Sequence, residues 1–321
     1  MELKKLLMLF SFLLMILHLH LPFLRGKDVQ KILLEEVLSI GSLDDDALFQ
    51  WVGVVSDPNR CIYVTDNMDY SLKKFDNKGD LLKKTGRKGQ GPGEFLAPRY
   101  LDISNELLYV TDQFKLEIQV FDKNLNYSHS LPISMPVSDL KVISDDEIAV
   151  ATISMAKTAR IFIFDSKGKI KRKLQYSDKA SHLMMEMVNF DFDSQGNLYL
   201  VYNYQDKIEK LDPEGRKIWS KRLLKIKEIK REKVGQFTLP TKLVYKDIAL
   251  DRSGNLFILG GGFSENPSCD VYVLSSEGRR LTTFTLPDSS HSIYIDGDDF
   301  LYSRANEGVT LKKFKIKYVY D

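Results

Sequence analysis

Histidine and cysteine are scarce in this chain: five and two among 321 residues. Cys61 and Cys269 are too few for a disulfide scaffold, and the repeat described below puts them in different units and at opposite ends of their strands. That is too far for the Cα separation of about 7 Å that a disulfide tolerates, so both are expected to be free, buried thiols. Beyond the first 27 residues the histidines are His129, His182 and His291. None has the short spacing of a zinc site, and no G-x-S-x-G or other nucleophile motif occurs. No catalytic residue, metal ligand or cofactor is therefore predicted. Charge of one sign is also missing: 46 Lys and Arg face 44 Asp and Glu. Without a strong global field, nucleic acid is not an expected partner.

Long apolar runs are absent except at the start. After the basic leader MELKK, residues 6–24 (LLMLFSFLLMILHLHLPFL) carry no charge apart from two histidines. This reads as an export segment. No A-x-A pattern precedes Arg25 and no cysteine lies nearby, which excludes a lipoprotein route. As a helix the run would span about 28 Å, one hydrocarbon core, so a cleaved signal peptide and an uncleaved anchor both fit. Either way residues 28–321 are expected outside the cytoplasm, periplasmic or at the cell surface, with the membrane met only through residues 1–27.

What is present is a repeat. Apolar runs centred on Tyr63, Tyr109, Ala149, Tyr199, Phe257 and Tyr302 recur at gaps of 46, 40, 50, 58 and 45 residues, the length of one four-stranded propeller blade. A turn rich in Asp, Asn, Ser and Gly precedes each run (SDPNR, SNE, SDD, DSQG, DRSG, DGDD), where such residues supply local hydrogen bonds and positive φ. A further apolar run follows, then a hairpin signal such as FDNKGD or LDPEGR, then a more polar outer strand: LLKKTG, YSHSLP, IKRKLQ, KIWSKR, RLTTFT. The sixth copy stops after a third strand, VTLKKFKIKYVYD. Residues 31–41, KILLEEVLSIG, have no inner strand before them and read as its missing outer strand. The predicted fold is all-β: a six-bladed propeller closed by an N-terminal outer strand and preceded by a hydrophobic helix, with residues 1–27 as signal or anchor and 28–321 as the propeller. An open array, or two separate sheet domains, is the alternative.

The run GRKGQGPGEFLAP, residues 86–98, looks at first like a phosphate cradle beside Arg87 and Lys88. A P-loop continues into G-K-[ST] and a helix; here Pro98 and a strand follow. The run is better read as a corner between the first two blades, echoed by GQFTLP at 235–240, with Phe95 and Phe237 plugging the seams. With YVTDNMDYSLKKFDNKGDLLKKT before it and YVTDQFKLEIQVFDKN after, this stretch resembles the NHL repeat, in which a Gly-rich run ending G-x-F-x-x-P marks the passage between blades. The resemblance is strong over residues 51–122 and fades beyond. It implies six blades. Some secreted relatives of that family are metal-dependent lyases and related propellers are lactonases, while cytoplasmic members bind RNA; no ligand set of theirs maps onto this sequence residue by residue.

In such a ring the connections between blades and those between the second and third strands share one face. Here that face holds every long loop, and long loops on a rigid scaffold are where binding resides. Asn67, Tyr70, Arg87, Gln113, Lys115, Asn203, Tyr204 and Arg304 are the candidate ligand contacts, a mix of aromatic, amide and cationic groups suited to a polar ligand or a protein, peptide or glycan partner. Asp66 and Asp112, each directly after YVT, recur at one repeat position and are expected to brace their turns. The basic segment 221–233, KRLLKIKEIKREK, is read as a solvated edge. The expected function is non-catalytic binding or sensing. A metal-dependent lyase or lactonase-like hydrolase at the channel mouth, using His182 and His291, and a purely architectural envelope role are the alternatives.

Overall fold

In a computed structural model, residues 29–104, 106–133, 135–152, 160–176, 183–227, 229–234 and 237–320 are described; the apolar segment 6–24 lies outside them. Among the described residues, no helix is long and apolar enough to cross a membrane. The strands form six antiparallel sheets of four, plus a two-stranded hairpin. The innermost strands, in chain order, are Trp51–Ser56, Pro98–Ile103, Val137–Ser144, Val188–Phe192, Tyr245–Leu250 and Ile293–Ile295. Each of the first five contacts the inner strand of the next blade, and the first contacts the second strand of blade 6, Phe300–Ala305. In blade 6 the outermost position is taken by Val29–Ile40, antiparallel to Thr310–Tyr320 with Ile32 opposite Tyr318 and Ile40 opposite Leu311.

The core is divided into six seams, one between each pair of neighbouring blades. Tyr63, Tyr109, Ala149, Tyr199, Phe257 and Tyr302 are buried, and each packs in a different seam against residues of the following blade. Two-sided burial explains why these second strands read as unbroken apolar runs rather than alternating ones. The ring closes where Tyr302 and Leu311 meet Trp51, Ile62, Val64 and Phe75, and where the Trp51 indole N–H donates to the carbonyl of Thr310 at 2.9 Å.

The turn aspartates do more than turn the chain. Asp57, Asp193 and Asp296 accept the hydroxyls of Tyr63, Tyr199 and Tyr302, six residues on, at 2.9 to 3.0 Å. Blade 5 has Phe257 at that position, and its Asp251 instead accepts the hydroxyl of Tyr318 from blade 6 at 2.6 Å.

The glycine run is a corner packed on itself. Glu94 accepts the Gly91 N–H at 2.8 Å and pairs with Arg87 at 2.7 Å, so the run's own carboxylate takes the donor an anion would seek. Phe95 is wholly buried in the seam between blades 1 and 2. The echo at 235–240 differs from its reading as a loop: Phe237–Pro240 pairs with Arg231–Val234 as a hairpin, and the Phe237 side chain lies outside the described residues. Cys61 and Cys269 are free but only partly buried, because each sits at a strand end beside a loop.

Candidate binding site at the channel mouth

The inner strands surround a central channel with a cavity at each end. The end bearing the short turns opens into about 650 Å³, walled by the turns at 193–195, 251–254 and 296–297. The loop-rich end holds about 340 Å³. Asp102, Lys141 and Tyr294 line both, so they form the belt at which the two ends meet.

Four aspartates project from the inner strands, and each bridges two blades. Asp102 accepts the N–H of Ile103 and that of Val142 in blade 3. Asp139 does the same with Leu140 and with Phe190 in blade 4. Asp191 takes Phe192 and Leu250 of blade 5, and Asp247 takes Ile248 and Ile293 of blade 6. A short inner strand has N–H groups its own sheet cannot pair, and a buried donor left unpaired costs free energy; the carboxylates satisfy them across the seam.

Lys141 sits among these acids, 3.5 Å from Asp191. Burial alone would lower its ammonium, but Asp191, Asp102, Asp139 and Asp247 together hold it above the usual lysine range. Burial pushes the Asp139 carboxyl up to about 8, despite Lys141. It likewise pushes Asp102 and Asp247 up to about 6.

Above this acidic throat the mouth is cationic. Arg99, Lys246 and Arg304 line the upper cavity with His291, Asn189, Asn203, Tyr204 and Ser292. Burial and then the neighbouring Arg304 lower the Lys246 ammonium; burial and then Arg99 lower the Arg304 guanidinium. His291 is lowered by burial, Lys246 and Arg304.

Residues 42–147 match a family described as a 6-bladed beta-propeller. The chain is a six-bladed β-propeller. A comparison with curated proteins finds no match. Among solved structures, a structural genomics protein of unknown function from Bacteroides thetaiotaomicron VPI-5482 is similar at 12% identity and a TM-score of 0.60, over 89% of this chain and 76% of that one. Virginiamycin B lyase from Staphylococcus aureus is similar at 14% identity and 0.55, over 89% and 99%. The WD40 β-propeller domain of Doa1 follows at 13% and 0.53, over 91% and 97%. Identities this low show a common architecture and carry no chemistry across.

Of the eight candidate contacts, Asn203, Tyr204 and Arg304 line the upper cavity. Gln113 stands one bond behind it, accepting from Arg99 at 2.8 Å. Lys115 is turned inward, donating to the carbonyls of Gly91 and Glu94 and pairing with Glu117 at 2.6 Å. Tyr70 packs in the seam between blades 1 and 2 under Lys88. Arg87 is exposed and held by Glu94, and Asn67 is tied through its backbone to Gln50. Asp66 and Asp112 brace the chain as expected: Asp66 accepts the N–H groups of Phe49 and Gln50, and Asp112 those of Leu96 and Ala97. Asp206 repeats the device for Leu223, Leu224 and Ile226, which turns the apolar residues of the basic segment inward. His182 lies outside the described residues, and His129 is on the outer strand of blade 2.

Sequence reasoning missed Arg99, Asp139, Lys141, Lys246 and Asp247. A signal was available: one or two charges inside short apolar strands, as in YLDI, SDLKV, NFDF and YKDIA. In a ring those positions face the axis.

Proposed function

We propose that the protein is a non-catalytic binding or sensing propeller, exported through residues 1–27 and working outside the cytoplasm with residues 28–321. It takes a polar ligand or a protein partner on its loop-rich face. The observation carrying this reading is the convergence at one channel mouth of amide, aromatic and cationic groups from blades 2, 4, 5 and 6, a concave site with a few placed polar groups on a rigid scaffold. Asn203, Tyr204 and Arg304 touch the ligand, and Gln113 orients Arg99. The same face exposes Met68 and Phe114 on the turns of blades 1 and 2, at 67% and 74%, apolar side chains of the kind that anchor a protein partner.

The test is a pull-down from the envelope fraction of the native host with the full chain in detergent, alongside a glycan and small-molecule panel. Capture of a partner or ligand that is lost when Tyr204 and Arg304 are replaced supports the reading. Absence of any ligand together with turnover of lactones or esters would reverse it in favour of a hydrolase or lyase.

A further inference from the structure

Three cationic side chains face the upper cavity and hydrogen-bond only to neutral partners, with Asp66 and Glu307 acting on Arg304 through space. Arg99 donates to the Gln113 side-chain oxygen, Arg304 to the Glu307 carbonyl at 2.9 Å, and Lys246 to the Ser290 carbonyl at 3.0 Å and towards His291. No ion pair joins any of the three to a carboxylate among the described residues. The Nε atoms of Arg99 and Arg304 and the Ser292 hydroxyl are buried there without a hydrogen-bond partner. Like charges gathered in a concave, partly desolvated place repel one another, and buried donors without acceptors cost free energy. Bidentate guanidinium geometry matches a carboxylate.

Directly below, the wall changes sign. Asp102, Asp139 and Asp247 line the same cavity with Lys141 among them, so acids outnumber the one ammonium, and the Asp247 oxygens keep lone pairs beyond the two backbone N–H groups they accept. A second negative charge on the ligand would be driven against these acids; a hydrogen-bond donor or a cation there would be held by them.

Resting on the reading of this mouth as a ligand site, we infer that it binds a small amino-acid-like zwitterion. Its carboxylate lies on Arg99, Arg304 and Lys246, and its ammonium points down the channel to Asp247. The cavity, about 340 Å³, is of small-ligand size.

Calorimetry on the full chain in detergent tests this, with individual amino acids, the matching carboxylates lacking the amine, the matching amines lacking the carboxylate, and inorganic phosphate. At least one amino acid should bind at least tenfold more tightly than either of its single-charge analogues and than phosphate. R304Q and K246Q should each weaken it at least tenfold, and D247N should abolish its advantage over the plain carboxylate; the melting transition of each variant checks that it folds. The inference is overturned if no amino acid binds, if phosphate binds more tightly, or if the advantage survives in D247N. A protein or glycan captured equally by wild type, R304Q and K246Q would overturn it while leaving the binding-propeller reading in place.

Discussion

Asp139, on the inner strand of blade 3, accepts the backbone N–H of Phe190, on the inner strand of blade 4, at 2.9 Å. The side chain is buried, so the bond joining two blades is made by a carboxyl group that burial holds protonated near neutral pH. The same staple recurs from Asp102, Asp191 and Asp247. Blade-to-blade cohesion at the axis is thus polar, while cohesion further out is the apolar seam.

This arrangement gives a signed pH dependence. Asp139 titrates near 8 in the folded protein and near 4 in the unfolded chain. The native state therefore holds the proton more tightly, and the stability linked to this group is complete below about pH 4 and lost as pH rises through 8. Asp102 and Asp247, raised to about 6, make their loss at lower pH. His291, lowered by burial, acts in the opposite direction only at and below its unfolded range near 6.5. Tm should therefore fall between pH 6.5 and 8.5, and Asp139→Asn should flatten that slope. An unchanged slope in the variant would remove Asp139 as its source.

Lys73 and Asp66 form a buried ion pair at 3.0 Å, with side chains 2% and 0% exposed. Lys73 also reaches Asp69 at 3.0 Å and the Ala47 carbonyl. Removing one partner of such a pair costs about 3–5 kcal/mol because the other charge stays buried. Lys73→Met should fall at the lower end, about 3 kcal/mol, since Asp66 keeps the N–H groups of Phe49 and Gln50. Urea unfolding measures this. A loss below about 1 kcal/mol would mean the pair behaves as a surface one.

The blades were legible in the sequence to within a residue or so: LLKKTG, YSHSLP and RLTTFT became the outer strands Leu81–Thr85, Tyr127–Pro132 and Arg280–Thr285. Local turn chemistry and two-sided burial leave marks along the chain, and both fall inside one repeat. The site left weaker marks. Arg99, Lys246 and Arg304 come from three blades and meet only through the ring, so no spacing along the chain records them. The acidic throat was hidden for the same reason: each aspartate's second partner belongs to the next blade. Tyr70 and Lys115 had the right residue types on the right face, yet pack into the glycine corner, whose internal bonding the sequence does not display.

That corner supplies a packing prediction. Phe95 fills the seam beside Tyr63, Leu108 and Phe121, with its ring 5.8 Å from that of Phe121. Phe95→Ala should cost about 3–5 kcal/mol as a core truncation. Gly86 has φ +96°, and a Cβ there would stand 2.7 Å from the Phe95 ring and from the Tyr70 carbonyl. Gly86→Ala should therefore destabilise by more than the roughly 1 kcal/mol of a simple conformational penalty. In the Phe95→Ala background part of that excess should vanish, since one of the two clashes is gone; a double-mutant cycle reads the coupling. Strict additivity would contradict this account.

The outer strand of blade 6 comes from the other end of the chain, so blade 6 depends on a segment made first. Ile32 packs into the seam between blades 5 and 6, and Ile40 into the seam between blades 6 and 1. Lys312 is held between Glu36 and Asp288 at 3.2 and 2.8 Å. Deleting residues 1–41 would bare the whole edge of Thr310–Tyr320, a template for pairing with another chain, and would open two of the six seams. Deleting residues 1–27 alone removes none of these contacts. The shorter deletion should keep the melting transition of the full chain. The longer one should lower it and add self-associated species in size-exclusion chromatography, and a peptide of residues 28–41 added in trans should reverse both changes. Equal melting of the two truncated chains would show that the ring does not need this strand.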